Sequence, residues 1–123
     1  MIAPIVGPEV ITGSTRLKAG TATKLVLNML TTGAMVRIGK TYGNLMVDLR
    51  PTNEKLRDRS QRIVAEISGL QQPQAAELLN QCNGEVKTAI VAALAEVTPD
   101  EARRMLSQHD GHLRATLQNS PST

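Results

Sequence analysis

An internal repeat over residues 73–118 constrains the fold of the chain more than any other feature. Leu78-Leu79, followed by the turn pair Asn83-Gly84, recurs as Met105-Leu106 followed by Asp110-Gly111. Each unit is predicted to begin with a helix whose first residue (N1) is proline, Pro73 or Pro99, and its turn pair interrupts the apolar pattern. Each unit therefore predicts two short helices joined by a tight turn, and helices this short must pack on one another.

Local signals at the start of the second repeat support this prediction. Thr98 and Glu101 flank Pro99 in a capping-box pattern, in which each side chain bonds the backbone N–H of the other residue. We therefore expect residues 70–123 to form a small helical bundle.

Residues 41–69 are predicted to be a connector and a linking helix. The run Tyr42–Leu49 is bounded closely by turn residues, which favours an extended connector. Thr52 is predicted to cap a helix over about residues 53–68, and Gly69 is predicted to end it. The charged residues of this helix are expected to form a solvated face.

Residues 1–40 have a different character and predict the end of another domain. Met1–Val6 favours a short strand, which Pro4 would confine to a sheet edge. From about Thr15 to Ile38 the apolar residues cover more than one stripe, which predicts a helix buried on several sides. Because a strand needs partners that nothing nearby offers, we expect the chain to begin within a domain.

Composition excludes several classes of protein. With one Tyr and no Phe or Trp, the core must be built from Leu, Ile, Val, Met and Ala. Stacking residues and stripes of Lys or Arg are lacking, so we expect no nucleic-acid partner. No apolar run is long enough to predict a membrane span, and the single Cys82 favours a reducing, cytoplasmic setting.

Cys82, His109 and His112 are the residues that raise the question of a metal site. Cys82 and His109 occupy equivalent places in the two repeats, just before the turns, and no second pair of ligands exists. We therefore predict structural roles for these residues, with no metal and no other cofactor.

The segment before the long predicted helix combines glycines, hydroxyl side chains and cations. Ser14 and Thr15 can cap the helix or bond a phosphate, and Arg16 and Lys18 can supply positive charge. Glu9 can accept a bond from a sugar hydroxyl or from the free N–H groups of the turn. An ordinary strand–turn–helix junction with a Ser or Thr cap has the same pattern, so the residues alone leave both interpretations open.

The run Gly7–Lys18, with the pattern Gly-Pro-Glu-x-x-Thr-Gly-Ser-Thr-Arg-Leu-Lys, resembles the signature shared by N-acetylmuramic acid 6-phosphate etherases and the glucokinase regulatory protein. The later runs Tyr42–Asp48 and Thr52–Leu56 are similar to the bacterial etherases in particular. The resemblance implies that residues 1–40 are the last strand and helix of an α/β sugar isomerase (SIS) domain. The bundle over residues 70–123 resembles the ubiquitin-associated three-helix fold, so the chain is expected to be mainly α.

The resemblance also implies an activity for the full-length protein. Etherases of this family are homodimers that cleave the D-lactyl ether of N-acetylmuramic acid 6-phosphate, giving N-acetylglucosamine 6-phosphate and D-lactate during peptidoglycan recycling. The implied reaction is a β-elimination followed by hydration, with two glutamates as acid and base. Those glutamates belong to motifs in the first part of the SIS domain that have no counterpart here. The chain is therefore expected to hold no catalytic residue and to be inactive alone, with a substrate-binding set of Ser14, Thr15, Arg16, Lys18 and Glu9.

Two other functions stay open at this point. A non-enzymatic sugar-phosphate-binding regulator of the glucokinase-regulator type shares the early motif, but it has a larger C-terminal region with a second SIS domain. The polar ending Asn119–Thr123, shortly after one bundle, favours the etherase. An interaction module built on residues 70–123 is the third possibility.

Overall fold

The structure is a computed structural model that describes residues 1–119, so the rest of the predicted polar ending lies outside the described residues. The described chain is mainly helical, as the sequence predicts. It divides into two compact units, Met1–Arg37 and the part from Ile38 onward. The elements are, in chain order, α1 (Lys18–Arg37), β1 (Thr41–Tyr42), β2 (Leu45–Met46), α2 (Glu54–Ser68), α3 (Gln72–Gln81), α4 (Val86–Leu94), α5 (Pro99–Gln108) and α6 (Leu113–Gln118).

The strand predicted over Met1–Val6 does not form, and this prediction is wrong for the chain. These residues make no ladder, and the strand pairing found within residues 1–119 joins β1 to β2. A strand forms only where its backbone N–H and C=O groups pair with a neighbouring strand. The apolar pattern is compatible with a strand, but the pairing partner decides whether one exists.

The long helix α1 begins at Lys18, later than the predicted start near Thr15, and ends at Arg37. None of its residues is buried, although large apolar side chains cover several of its sides. Leu27, Met29 and Leu30 each keep more than half of their surface exposed. The burial predicted for this helix is therefore not provided by residues 1–119. No helix within these residues is both long enough and apolar enough to cross a bilayer.

The predicted extended connector instead folds back on itself as a small hairpin. β1 and β2 pair antiparallel, with Thr41 opposite Met46 and Tyr42 opposite Leu45. Gly43 has a left-handed φ of +58°, which glycine adopts without steric cost and which lets the chain reverse. The sequence pattern predicts Gly43 as a boundary of an extended segment, but in the structure Gly43 forms the turn of a hairpin.

The helix α2 is capped by Asn53, and not by Thr52 as predicted. The Asn53 Oδ1 accepts a hydrogen bond of 2.9 Å from the Leu56 N–H, which is an N-cap interaction. Gly69 ends the helix as predicted, with a left-handed φ of +76° and an N–H bonded to the Ala65 carbonyl. The predicted solvated face is exposed, and it comprises Lys55, Arg57, Asp58, Arg59, Arg62 and Glu66.

Both repeats fold into pairs of short helices, as predicted. The turn from α3 to α4 contains Asn83 and Gly84, and the turn from α5 to α6 contains Asp110 and Gly111. All four residues have positive φ angles, between 52° and 79°. Gly accepts this backbone conformation freely, and Asn and Asp accept it more readily than other residues.

The predicted capping box at the start of α5 is confirmed. The Thr98 N–H donates to the Glu101 carboxylate at 2.9 Å, and the Glu101 N–H donates to the Thr98 hydroxyl oxygen at 3.3 Å. The Thr98 hydroxyl also donates to the carboxylate at 2.7 Å, and this bond is the main reason that the pKa of Glu101 lies below its ordinary value. Pro99 is the first residue of α5, whereas Pro73 is the second residue of α3.

The hydrophobic core of the second unit is centred on α4, which packs against α2, α3, α5 and α6. Aliphatic side chains fill this core, as the composition requires. Ile90 and Val91 are fully shielded from solvent. The buried hydrophobic residues are Val47, Ile63, Val64, Ala75, Leu79, Cys82, Val86, Ala89, Ile90, Val91, Ala92, Ala102, Leu106 and Leu113.

A cluster of three charged residues, Lys40, Asp48 and Lys87, links the hairpin segment to the helical repeats. The Asp48 carboxylate lies 2.7 Å from the Lys40 Nζ and 3.6 Å from the Lys87 Nζ. Lys87 also donates a hydrogen bond of 2.9 Å to the Gly111 carbonyl. The bond from Lys40 is the main reason that the pKa of Asp48 lies below its ordinary value. Hairpin and repeats are thus held together by polar contacts as well as by the core.

Candidate functional site

The segment Gly7–Gly20, called the glycine–hydroxyl segment below, leads into α1 and includes the first three residues of that helix. Gly7 and Gly13 have left-handed φ angles of +70° and +85°, which side chains with a Cβ rarely adopt. The Ser14 N–H donates to the Ile11 carbonyl at 3.0 Å. The glycines therefore allow the chain to turn sharply just before the hydroxyl residues.

Glu9 lies at the N-terminus of α1. Its Oε2 accepts a hydrogen bond of 3.1 Å from the Lys18 N–H, and its Oε1 accepts one of 2.9 Å from the Ala19 N–H. Two N–H groups that have no partner inside the helix are thereby satisfied. The first turn of α1 has no acidic residue, so Glu9 supplies from outside the helix the negative charge that the helix dipole favours.

Lys18 fixes the other side of the same turn. Its Nζ donates a hydrogen bond of 2.7 Å to the Pro8 carbonyl. Because Glu9 follows Pro8 directly, the backbone N–H and the side chain of Lys18 hold adjacent residues of the segment. The structure thus places Glu9 and Lys18 in contacts that shape the segment.

Ser14, Thr15 and Arg16 carry polar side chains that the described chain does not use. Within residues 1–119, none of the three makes a side-chain hydrogen bond or an ion pair. The Thr15 carbonyl accepts a bond of 2.7 Å from the Gly20 N–H, and a Cβ on Gly20 would lie 3.2 Å from that oxygen. Gly20 therefore permits a close turn that holds Thr15 near the start of α1.

The contacts of Glu9 make the N-terminus of α1 an unfavourable position for the anion that the sequence predicts there. The Glu9 carboxylate occupies two of the N–H groups that a phosphate would otherwise bond, and it would repel a second anion at that position. Two hydroxyls and one guanidinium are left beside the helix at consecutive positions. Such groups can donate several hydrogen bonds to one phosphate, those from the guanidinium being charge-assisted. The sequence predicts a bond from the free N–H groups to Glu9 as one of two alternatives. It does not predict that the Glu9 carboxylate takes the position at the helix end where an anion would bind.

Cys82, His109 and His112 each lie directly beside the end of a helix. Cys82 directly follows α3 and His109 directly follows α5, so the equivalence seen in the repeats is retained. Burial of Cys82 raises the pKa of its thiol, which keeps the group protonated and unreactive. Among residues 1–119, no three His, Cys, Asp or Glu side chains come close enough together to hold a metal ion.

Comparison with known proteins shows high similarity to one kind of enzyme. The chain is 67% identical over 117 residues to an N-acetylmuramic acid 6-phosphate etherase of Rhodopirellula baltica. It is 60% identical over 116 residues to the protein of the same name from Serratia proteamaculans, and 55% identical over 117 residues to that from Clostridium beijerinckii. No protein-family model matches the chain.

These matches cover nearly all of the chain but a minor part of each relative. They span 94–95% of the chain, and 39%, 39% and 38% of the three relatives in the same order. The matched region is the C-terminal part of the relatives. The glycine–hydroxyl segment, α1 and the second unit thus correspond to about the last two fifths of these longer proteins.

Proposed function

We propose that this chain, which matches the C-terminal part of N-acetylmuramic acid 6-phosphate etherases, is a portion of such an etherase. The proposed activity of the whole protein is cleavage of the D-lactyl ether of N-acetylmuramic acid 6-phosphate. The observation that carries the proposal is 67% identity over 95% of the chain. The relatives compared bear the etherase name, so the comparisons favour the lyase over a glucokinase-type regulator.

The glycine–hydroxyl segment is proposed as one wall of the sugar-phosphate pocket. Ser14, Thr15 and Arg16 are assigned to the phosphate, because their side chains have no polar partner within residues 1–119 and can donate hydrogen bonds to an oxyanion. Glu9 and Lys18 are assigned to holding the segment in shape, and we propose that Glu9 also accepts a hydrogen bond from a sugar hydroxyl. The contacts of Glu9 and Lys18 with the start of α1 support this division.

The acid and base of the reaction are proposed to lie in the part of the etherase that precedes this chain. The elimination removes the proton on the carbon next to the sugar's carbonyl carbon, forms a carbon–carbon double bond and breaks the bond to the lactyl oxygen; water then adds to the double bond. One group must accept that proton and another must protonate the leaving oxygen. The two glutamates implied by the family resemblance belong to motifs that this sequence lacks. The chain alone is therefore expected to be inactive.

The setting of the whole protein is part of the same proposal. Residues 1–40 are assigned to the end of a SIS domain, and residues 70–123 to a ubiquitin-associated-like bundle. A cytoplasmic homodimer is proposed, with α1 contributing apolar contacts to other parts of the assembly. The exposed Leu25, Leu27, Met29 and Leu30 of α1 support this assignment, because so much apolar surface is normally covered.

Release of D-lactate from N-acetylmuramic acid 6-phosphate by the full-length protein is the test. We expect turnover by the full-length protein and none by the 123-residue chain. In the full-length protein, Ser14→Ala and Thr15→Val are each expected to lower kcat/KM about tenfold or more, since each removes a hydrogen bond to a charged group. Ser107→Ala, at an exposed position of α5 that lies outside both the segment and α1, is the matched control and should change kcat/KM little.

Two outcomes contradict the proposal. Absence of D-lactate release by a folded full-length protein would exclude the etherase activity. Equal losses in Ser107→Ala and in the two segment variants would show that the segment has no special role in substrate binding.

A further inference from the structure

A polar cavity lies in the second unit, which does not contain the glycine–hydroxyl segment. Its volume is about 230 Å³. It is formed by the first half of α2, the end of α3 and the turn that follows α3. The residues that line it are Pro51, Arg57, Gln61, Leu79, Asn80, Asn83 and Gly84.

The cavity brings together one cation and three carboxamides. Arg57 is the cation, and Gln61, Asn80 and Asn83 supply the amides, while no carboxylate is among the lining residues. Within residues 1–119, none of these four side chains forms a hydrogen bond or an ion pair with another protein group. Four polar side chains that line one cavity, three of them exposed to solvent (Arg57, Asn80 and Asn83), are therefore available to a ligand.

The turn after α3 gives this cavity its wall. Asn83 has a left-handed φ of +55°, and Gly84 follows with +79°. A Cβ on Gly84 would lie 3.1 Å from the Pro51 Cγ, so the glycine allows Pro51 to close against the turn. The chain that precedes α2 and the turn after α3 thus meet, and Asn83 is held beside the cavity.

The second repeat provides an internal comparison. In the repeat alignment, Asn80 corresponds to Ser107 and Asn83 corresponds to Asp110. Asp110 has a φ of +52°, nearly that of Asn83, so the two turns share their backbone geometry. The second turn carries a negative charge where the first carries an amide. The same fold therefore presents a group that would repel anions at one turn and a neutral hydrogen-bonding group at the other.

We propose that the cavity formed by Arg57, Gln61, Asn80 and Asn83 binds a small anion that carries hydroxyl groups. A guanidinium bonds the oxygens of a carboxylate or phosphate, and carboxamides donate to and accept from hydroxyls. The cavity is smaller than sites that enclose drug-sized molecules, which begin at about 300 Å³. Its size suits a hydroxycarboxylate or the phosphate end of a sugar phosphate. The proposal concerns binding alone and is independent of the proposed lyase activity.

Titration of the 123-residue chain followed by ¹H–¹⁵N NMR tests this site. The probes are D-lactate, glucose 6-phosphate and inorganic phosphate, each added up to about 10 mM. We expect saturable shifts of the side-chain N–H signals of Arg57, Gln61, Asn80 and Asn83 with at least one hydroxylated anion. Comparison of the first two probes identifies whether a carboxylate or a phosphate is preferred.

Three variants make the test specific. Arg57→Gln removes the cation, and Asn83→Asp introduces the residue that the second repeat holds at the same backbone geometry. Each is expected to weaken binding about tenfold or more. Arg59→Gln removes a charge from an exposed position of the same helix, outside the cavity lining, and should change the affinity less than about twofold. The backbone spectra of the variants show directly whether the fold is retained.

Three outcomes overturn the proposal. The first is the absence of saturable shifts with every probe. The second is inorganic phosphate binding as tightly as both hydroxylated anions, which would mean an adventitious ion only. The third is an equal loss in Arg57→Gln and Arg59→Gln, which would mean general attraction to a basic helix surface.

Discussion

Replacing Ile90 with alanine is expected to lower the free energy of unfolding of the second unit by about 2–5 kcal/mol. Ile90 is fully shielded from solvent and lies on α4, the helix against which α2, α3, α5 and α6 pack. Its truncation removes buried methyl groups and leaves a cavity that the neighbouring helices can fill only in part. With no aromatic side chain among the buried residues of the described chain, each large aliphatic residue accounts for a substantial share of the core.

Chemical denaturation followed by far-UV circular dichroism and by tyrosine fluorescence measures this loss. Tyr42 is the only aromatic residue of the chain and lies in β1, so its emission reports on the second unit. Leu94→Ala is the matched control, since Leu94 lies on the same helix but is 43% exposed. We expect the control to cost about 1 kcal/mol or less. Equal losses in the two variants would contradict the conclusion that Ile90, and not Leu94, lies in the core.

Replacing Gly39 with alanine is expected to cost about 2–4 kcal/mol, because two penalties act together. Gly39 has a left-handed φ of +70°, which disfavours any residue with a Cβ. The added Cβ would also lie 2.8 Å from the Nδ1 and 2.9 Å from the Cγ of His112. The imidazole, which directly precedes α6, must therefore move.

Two further variants separate the penalties. Gly43→Ala has a comparable φ of +58° but meets nothing within 4 Å, so it should cost only the backbone term of about 1–2 kcal/mol. Adding His112→Ala to Gly39→Ala should recover the steric part of the loss, and the double-mutant cycle should show a coupling that opposes the two single losses. Identical losses in Gly39→Ala and Gly43→Ala, with no coupling to His112, would show that the close packing between Gly39 and His112 has no energetic role.

The sequence predicts the helical repeats well because their signals are local. Thr98 and Glu101 bond within one turn of helix, and Gly69 ends α2 through its own backbone preference. Errors of one residue, such as Thr52 in place of Asn53 as a cap, arise because neighbouring residues are both competent caps. Boundaries of this kind depend on small differences in local geometry.

The predictions for the hairpin segment and for Met1–Val6 are wrong for a different reason. Gly43 and Asn44 are equally compatible with a hairpin turn and with the boundary of an extended segment. Only the pairing of Thr41 with Met46 distinguishes these two structures. For Met1–Val6 the strand pattern is present, but strand pairing requires a second segment that residues 1–119 do not supply. Pairing between distant segments is not written in either segment alone.

The candidate sites show the same division between local and tertiary information. The sequence alone determined the helical content, the repeat and the cluster of Ser14, Thr15 and Arg16 beside a helix start. Only the tertiary structure decided that the Glu9 carboxylate occupies the helix N-terminus, and that Arg57 and Asn83 line one cavity. The physical reason is that propensity and capping act over a few residues, whereas contacts between distant side chains exist only after packing has placed their backbones.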